Sequence, residues 1–162
     1  MLEVVTYGDP VLEKRAEPIT EFDEGLALLC AQMFEALKRD HGIGLAAPQV
    51  GVSKRVFITD VDEDKKRIFV NPEIVMTSPD LVEYEEGCLS FPGLYFMVKR
   101  SSNLRVQAFN EKGKPFTVEA EGMLARVILH EYDHLDGKLF IERITPLRRE
   151  RALLHYRRMV KM

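Results

Sequence analysis

The chain has 162 residues, of which 46% are hydrophobic and 30% charged, and its formal net charge is −3. This composition fits one globular domain, which we predict over residues 1–162. No segment approaches the roughly 18 apolar residues of a membrane span, the N-terminus lacks the pattern of a signal peptide, and two cysteines are too few for a disulfide framework. We therefore expect a cytoplasmic protein with no membrane partner.

The first predicted element is a helix over residues 23–39, with Asp23 favouring its N-terminus. Apolar residues recur at steps of three and four, as on the buried face of a helix; they are Leu26, Leu29, Cys30, Met33 and Leu37. Cys30 falls on this stripe, so we expect a buried thiol that only packs. Residues 42–51, GIGLAAPQVG, are rich in glycine and proline, which predicts irregular structure.

Six short β-type runs follow, rich in β-branched and aromatic residues. They cover residues 55–59, 67–70, 81–86, 94–100, 103–109 and 116–120. Turn-forming residues separate several of them, at Asn71-Pro72, Ser78-Pro79 and Lys112-Gly113-Lys114. The pattern predicts short strands joined by turns.

A second helix is predicted over residues 121–135. It is apolar nearly all round, so we place it at the centre of the domain, and Gly137 ends it. A third helix begins at Thr145-Pro146, a favourable N-cap and first-turn pair, and continues to the end of the chain. We expect its packed side to consist of Leu147, Leu153, Leu154 and Val160. Strands followed by helices, without βαβ alternation, predict an α+β fold.

The charge is unevenly distributed along the chain. Residues 146–162 contain six basic side chains and one acidic one, a net charge of +5, so the remainder carries −8. One interpretation is the solvated side of an amphipathic helix. The alternative is a contact with a polyanion, because neutralised phosphates favour binding to basic surfaces.

The second helix carries a His-Glu-x-x-His motif at residues 130–134. Residues i and i+4 lie on the same face of a helix, so His130 and His134 can bind one metal ion. Glu131 lies beside the first histidine, where a carboxylate can move protons during hydrolysis. The same pattern occurs by chance on solvated helices, but these side chains are costly to bury on an apolar helix unless a metal pairs them. The motif therefore indicates a metal-dependent hydrolase with one ligand still to be found.

Candidates for the third ligand stand on both sides of the motif. Downstream, where zinc metalloproteases of this type carry their ligand, are Glu142, Glu150 and His155, and we expect His155 to face solvent. Upstream, Cys88 ends a β-type run in EYEEGCLSFPG. A thiolate is a strong ligand for zinc or ferrous iron, although a single cysteine can also be a small buried hydrophobe. Its place at a strand end favours Cys88.

Three segments of the chain together resemble the peptide deformylase family. They are GIGLAAPQ at 42–49, EGCLS at 86–90 and HEYDH at 130–134, in the order of the family. Similar stretches flank them, so the resemblance covers nearly the whole chain. It implies an α+β fold in which short antiparallel strands pack around the motif-bearing helix, with a C-terminal helix. It also implies removal of the N-formyl group from the N-terminal formylmethionine of newly synthesised polypeptides, with release of formate.

The resemblance also implies the composition of the metal site. Cys88, His130 and His134 would bind one divalent metal ion, with ferrous iron preferred and zinc or nickel as alternatives. Three protein ligands leave one position open, which is typical of a catalytic metal site. Glu131 would act first as general base and then as general acid.

The same resemblance assigns the contacts to the substrate. Gln49 and the backbone N–H of Leu89 would stabilise the oxyanion, each donor contributing roughly 3 kcal/mol, and Gly44 would supply backbone contacts. Val127 and Met123 precede His130 by one and two helical turns, so they are candidates for the wall of a methionine pocket, although the sequence alone favours plain core packing for both. The peptide backbone would pair with a strand edge near residues 84–87.

The resemblance also implies binding partners, and a few residues of this chain depart from the family pattern. The implied partners are N-formylmethionyl nascent peptides and, through residues 146–162, ribosomal RNA, because the family acts during translation. Tyr95 and Phe96 stand where other members are often more polar. Arg126 is a charge on the metal-bearing helix that needs a partner or a path to water.

Two other functions remain open from the motif alone. A metalloendopeptidase would need a downstream ligand and would leave GIGLAAPQ and EGCLS without a role. A non-catalytic metal-binding domain would need a closed site with four ligands and would not need Glu131.

Overall fold

The computed structural model describes residues 2–161. Met1 and Met162, which the predicted domain includes, lie outside the described residues. Within that range the helices are α1 (Glu24–Arg39), α2 (Gly122–Leu135) and α3 (Pro146–Val160). The strands are β1 (Gly44–Ala46), β2 (Val56–Thr59), β3 (Arg67–Thr77), β4 (Leu81–Cys88), β5 (Phe91–Ser101), β6 (Asn103–Phe109) and β7 (Pro115–Glu121). The predicted α+β class is confirmed.

The strands form two antiparallel units. One is a sheet in the order β1-β2-β3-β6-β7, and the other is the hairpin of β4 and β5. In β6, buried and exposed residues alternate strictly, which is typical of a strand with one face on the core. Helix α2 packs against β1, β2, β6 and β7 of the sheet and against β5 of the hairpin, so its predicted central position is confirmed.

Buried apolar clusters hold these layers together. Phe57 and Phe69 stack with ring centroids 4.6 Å apart beneath Ile128 of α2. Helix α1 covers a second cluster that includes Leu45 and Ile58. Cys30 belongs to this second cluster and is only 1% exposed, and its burial raises the pKa of the thiol to about 12. The expectation of a packing role for Cys30 is thus confirmed.

The expectation of irregular structure over residues 42–51 is wrong. Gly44–Ala46 form β1, which pairs with Phe57–Thr59, and Ala47–Val50 form a 3₁₀ turn. The backbone partners of this segment come from a strand more than ten residues away, which local composition does not reveal. The pairing fixes β1 beside α2.

The turn predicted at Asn71-Pro72 is also wrong, because β3 continues through it as a β-bulge. Asn71 has a positive φ of 49°, which asparagine tolerates better than most residues. Its side-chain amide accepts from the Ile19 N–H at 2.8 Å and donates to the Ile19 carbonyl at 2.9 Å. The bulge therefore attaches the N-terminal segment to the sheet.

Helix α3 begins as predicted, with the Thr145 side chain accepting from the Arg148 N–H. Its packed face is only partly as predicted. Leu153 packs against the cluster that contains Phe91, as expected, but Leu147, Leu154 and Val160 are exposed. The fully buried side chain of the helix is Tyr156, which contacts Phe91 and Tyr7. None of the helices within residues 2–161 has the length and apolar character to cross a membrane.

Candidate active site

Cys88, His130 and His134 converge where the end of β4 meets the middle of α2. Their potential ligand atoms lie within 4.8 Å of one another, and Cys88 Sγ is 3.4 Å from His134 Nε2. Helical spacing brings the two imidazoles to one face of α2, and strand β4 ends in contact with that face. The donor set of one thiol and two imidazoles suits zinc or ferrous iron. The residues present therefore fit a metal ion with three protein ligands.

Two features prepare the imidazoles as ligands. His130 Nδ1 lies 2.9 Å from Glu86 Oε1, and since a carboxylate accepts, the ring donates from Nδ1 and keeps Nε2 for a metal. Such carboxylate–histidine pairs fix ring orientation at metal sites. For His134, burial lowers the pKa well below its usual value, which favours the neutral form that a metal needs.

Two buried arginines, Arg100 and Arg126, donate hydrogen bonds to Glu86. Arg100 donates to it at 2.6 and 3.0 Å and also reaches Asp133 at 3.0 Å. Burial opposes ionisation of Glu86, but the hydrogen bonds from His130 and Arg100 outweigh it and hold the pKa of this carboxyl well below its usual range. Glu86 is therefore a charged, fixed acceptor behind His130.

Arg126 has the partners that its position on α2 requires. It donates to Glu86 at 2.5 Å and to the carbonyls of Val98 and Val82 at 3.0 and 2.6 Å. These bonds tie α2 to both strands of the hairpin. Loss of one member of such a buried ion network typically costs about 3–5 kcal/mol, because a buried charge is left unpaired.

Glu131 points into the same space. It is buried, and its Oε1 has no hydrogen-bond partner among the described residues. Burial raises the pKa of Glu131 to about 7, so its carboxyl can both take and give a proton near neutrality. A Cβ placed on Gly44 would lie 2.8 Å from Glu131 Oε2 and 2.6 Å from Val127 Cγ1. Only glycine lets β1 pass so close to this carboxylate.

Gln49 is 1% exposed and fixed at both ends of its amide. Its Oε1 accepts from the Ala46 N–H at 2.9 Å, and its Nε2 lies 3.2 Å from Ser90 Oγ and 3.5 Å from Cys88 Sγ. The donor end of the amide is thus directed at the Cys88 side of the site. Leu89 follows in the chain and lines the same cavity.

A cavity of about 330 Å³ joins these groups. Met123 and Val127 form part of its wall, and Tyr84, Glu85 and Tyr95 of the hairpin also line it. The sequence-predicted residues that line it are Gly44, Gln49, Cys88, Leu89, His130 and Glu131.

The downstream ligand candidates do not take part. Glu142 accepts a hydrogen bond from the Leu139 N–H, and Glu150 and His155 are exposed on α3. Sequence reasoning missed the support provided by Glu86, Ser90 and Arg100. Glu86 and Ser90 belong to the EGCLS segment, so the resemblance could have identified them. No sequence motif pointed to Arg100.

An α+β fold with a Cys/His/His donor set beside a buried glutamate defines a metal-dependent hydrolase. The polypeptide deformylase family model matches residues 1–150. The peptide deformylase of Treponema pallidum (strain Nichols) is 48% identical over 155 residues, which are 96% of this chain and 95% of that protein.

Solved structures agree with these sequence matches. A Legionella pneumophila peptide deformylase superposes with a TM-score of 0.93 at 40% identity, covering 99% of this chain and 96% of that one. The Ehrlichia chaffeensis enzyme in complex with actinonin gives 0.95 at 32% identity, covering 100% and 99%. The chain belongs to the peptide deformylase family, and its reaction is the removal of the N-formyl group from nascent peptides.

Proposed function

We propose that Cys88, His130 and His134 hold one divalent metal ion and that Glu131 carries the proton during deformylation. The observation that supports this most directly is the convergence of the three donor atoms within 4.8 Å beside a buried carboxylate with an unpartnered oxygen. A divalent ion bound there would act as a Lewis acid toward the formyl oxygen and increase the acidity of water.

Glu131 then has two tasks in sequence. It takes a proton from the attacking water as the new C–O bond forms on the formyl carbon, and it delivers that proton to the amine nitrogen as the C–N bond breaks. The products are formate and a free N-terminal methionine. A carboxyl with a pKa near 7 suits both transfers.

Gln49 and Leu89 serve as donors to the oxygen that becomes negative. The fixed amide of Gln49 supports this role, because its position does not have to be reorganised during the reaction. Gly44 offers backbone groups to the peptide, since β1 lies at the edge of its sheet beside Glu131.

The peptide binds in extended form along the cavity. β1 and β4 each pair with only one strand among residues 2–161, so each presents a free edge for backbone hydrogen bonds. The methionine side chain enters the apolar wall formed by Met123 and Val127. Main-chain pairing explains how one site accepts many nascent chains.

We also propose which metal ion the enzyme uses and in which compartment it works. Ferrous iron is the preferred ion, with zinc or nickel as alternatives, and the enzyme works in the cytoplasm as a single catalytic domain over residues 1–162. A thiolate beside ferrous iron is open to oxidation. Metal analysis after purification without oxygen tests the identity of the ion, and equal activity of fresh zinc and iron forms would contradict the preference.

The basic helix α3 is proposed to contact ribosomal RNA. Its support is the net charge of +5 over residues 146–162 and the exposure of Arg151, Arg157 and Arg158. Such a contact would bring the enzyme close to emerging chains.

The assignment of Glu131 is tested with Glu131→Gln, assayed for formate release from formyl-Met-Ala-Ser. We expect activity to fall by about 10²–10⁴-fold, because the proton carrier is lost, while bound metal stays near one ion per chain. Glu150→Gln serves as the matched control and should keep full activity, since Glu150 is exposed on α3. Full activity of Glu131→Gln with metal bound would rule out the assignment.

A further inference from the structure

Tyr95 and Glu85 lie on the outer face of the β4–β5 hairpin, at the cavity. Across the hairpin, Tyr95 pairs with Gly87 and Glu85 with Met97. Because alternate residues of a strand point to opposite faces, residues 85 and 87 share a face, and Tyr95 lies diagonally beside Glu85 on it. Both side chains line the cavity, and Tyr95 is 64% exposed.

Gly87 fixes the position of the tyrosine ring. A Cβ on Gly87 would lie 2.4 Å from Tyr95 Cε1 and 2.7 Å from Cδ1, so the ring covers the glycine directly. Gly87 immediately precedes Cys88. The exposed aromatic surface is therefore held one residue from the proposed metal site.

The inner face of the same hairpin is directed at α2. Glu86 and Tyr84 lie on it, the first buried behind His130 and the second against the Arg126 guanidinium at 5.7 Å. In the proposed mode of binding, on which this inference rests, the methionine side chain enters between this face and Val127. An extended peptide beside β4 then directs its next side chain to the opposite, outer face.

We propose that Tyr95 and Glu85 bind the side chain of the second residue of the formylated peptide and favour lysine or arginine there. A cation can lie on the face of Tyr95 while its charge meets the Glu85 carboxylate. Glu85 faces Met97 across the hairpin, whereas Glu83, one pair further from the cavity, faces Lys99. Lys99 lies diagonally to Glu85 and directly opposite Glu83, so within residues 2–161 no cation stands directly opposite Glu85 to compete with a basic substrate.

The size of the preference follows from exposure. Exposed ion pairs and exposed cation–π contacts are both weak, and together they predict roughly a three- to tenfold advantage for lysine over alanine in kcat/KM. The carboxylate also predicts a disadvantage for glutamate. Both effects should shrink as salt screens the charges.

The experiment measures kcat/KM for formyl-Met-Lys-Ser, formyl-Met-Ala-Ser and formyl-Met-Glu-Ser at low and at roughly molar salt. We expect the order Lys, Ala, Glu at low salt and a reduced spread at high salt. Glu85→Gln should bring the Lys/Glu ratio toward one, and the matched control Glu83→Gln should retain it. Tyr95→Phe should keep most of the lysine advantage, because the ring remains, whereas Tyr95→Leu should reduce it.

Equal rates for the three peptides, or the same Lys/Glu ratio in Glu85→Gln and Glu83→Gln, would overturn the inference. Either result leaves deformylation intact, because formate is still released. Absence of formate from all three peptides would instead contradict the proposed function.

Discussion

Gly44 shows how one missing side chain can be a requirement of the active site. Its backbone does not have a positive φ, so the demand is for space rather than for an unusual conformation. A methyl group there would meet Val127 Cγ1 and Glu131 Oε2 at less than 3 Å. Either β1 or the glutamate must then move.

We predict that Gly44→Ala lowers kcat/KM for formyl-Met-Ala-Ser by an order of magnitude or more, because displacement of a catalytic group by about 1 Å can cost 10²-fold. Combining it with Val127→Ala should restore part of the loss, since one of the two close contacts is removed. Steady-state kinetics on the single and double variants measure the effect. Unchanged kinetics in Gly44→Ala would show that the space is not needed.

Some residues of the proposed site could be predicted from the sequence, and others could not. The local spacing of His130 and His134 was sufficient to suggest a shared metal, because helical geometry alone brings i and i+4 together. The position of Cys88 at a strand end favoured it as the third ligand, and the resemblance to a family then assigned it that role. The contacts of Arg126 with Glu86 and the hairpin join residues 40 positions apart, and no local pattern encodes such a pair.

At the scale of elements, the bulge in β3 predicts a specific ranking of variants. Asn71→Ala loses two hydrogen bonds to Ile19 and places alanine at positive φ, so we expect about 2–4 kcal/mol of destabilisation. Asn71→Gly loses the same bonds without that backbone strain, and it should be about 1–2 kcal/mol less destabilised. Urea unfolding curves measure both values. Equal stability of the two variants would contradict the role of the positive φ.

The helices were easier to predict than the strands for a physical reason. Caps and apolar repeats are local, so α1 and α3 begin within a residue of the positions expected. Strand partners are remote, and both β1 and the bulge in β3 were therefore missed. The buried face of α3 was predicted only in part. Leu153 packs as expected, but the pattern of leucines does not reveal that Tyr156 packs on Phe91.

At the scale of the whole molecule, positive charge is concentrated on α3 and negative charge elsewhere. Arg148 and Arg149 donate to the carbonyls of Met97 and Ile141, so they help attach the helix to the fold. Tyr156 is buried in the same contact. Deleting α3 would therefore damage the core as well as remove charge, and substitution of exposed arginines is the sharper test.

We predict that Arg151→Gln, Arg157→Gln and Arg158→Gln together weaken binding to ribosomes by about tenfold or more at roughly 0.1 M salt. Removing one arginine–phosphate interaction should reduce the slope of log affinity against log salt by about 0.7–0.9, so the triple variant should have a visibly flatter salt dependence. Sedimentation with purified ribosomes at several salt concentrations measures both quantities. Turnover of formyl-Met-Ala-Ser should stay within about twofold, because these side chains lie outside the cavity.

The matched control changes the same amount of charge elsewhere. Lys65, Lys112 and Lys114 are exposed and lie in the β2–β3 and β6–β7 connections, whereas α3 packs mainly against β5 and residues 140–143. Replacing all three lysines by glutamine also lowers the net charge by three. If the ribosome recognised only overall charge, both triple variants would bind equally weakly. A weaker affinity confined to the α3 variant would identify the helix as the contact. Unchanged affinity in that variant would rule out the proposed role. Turnover of formyl-Met-Ala-Ser by the same variant shows that it is folded.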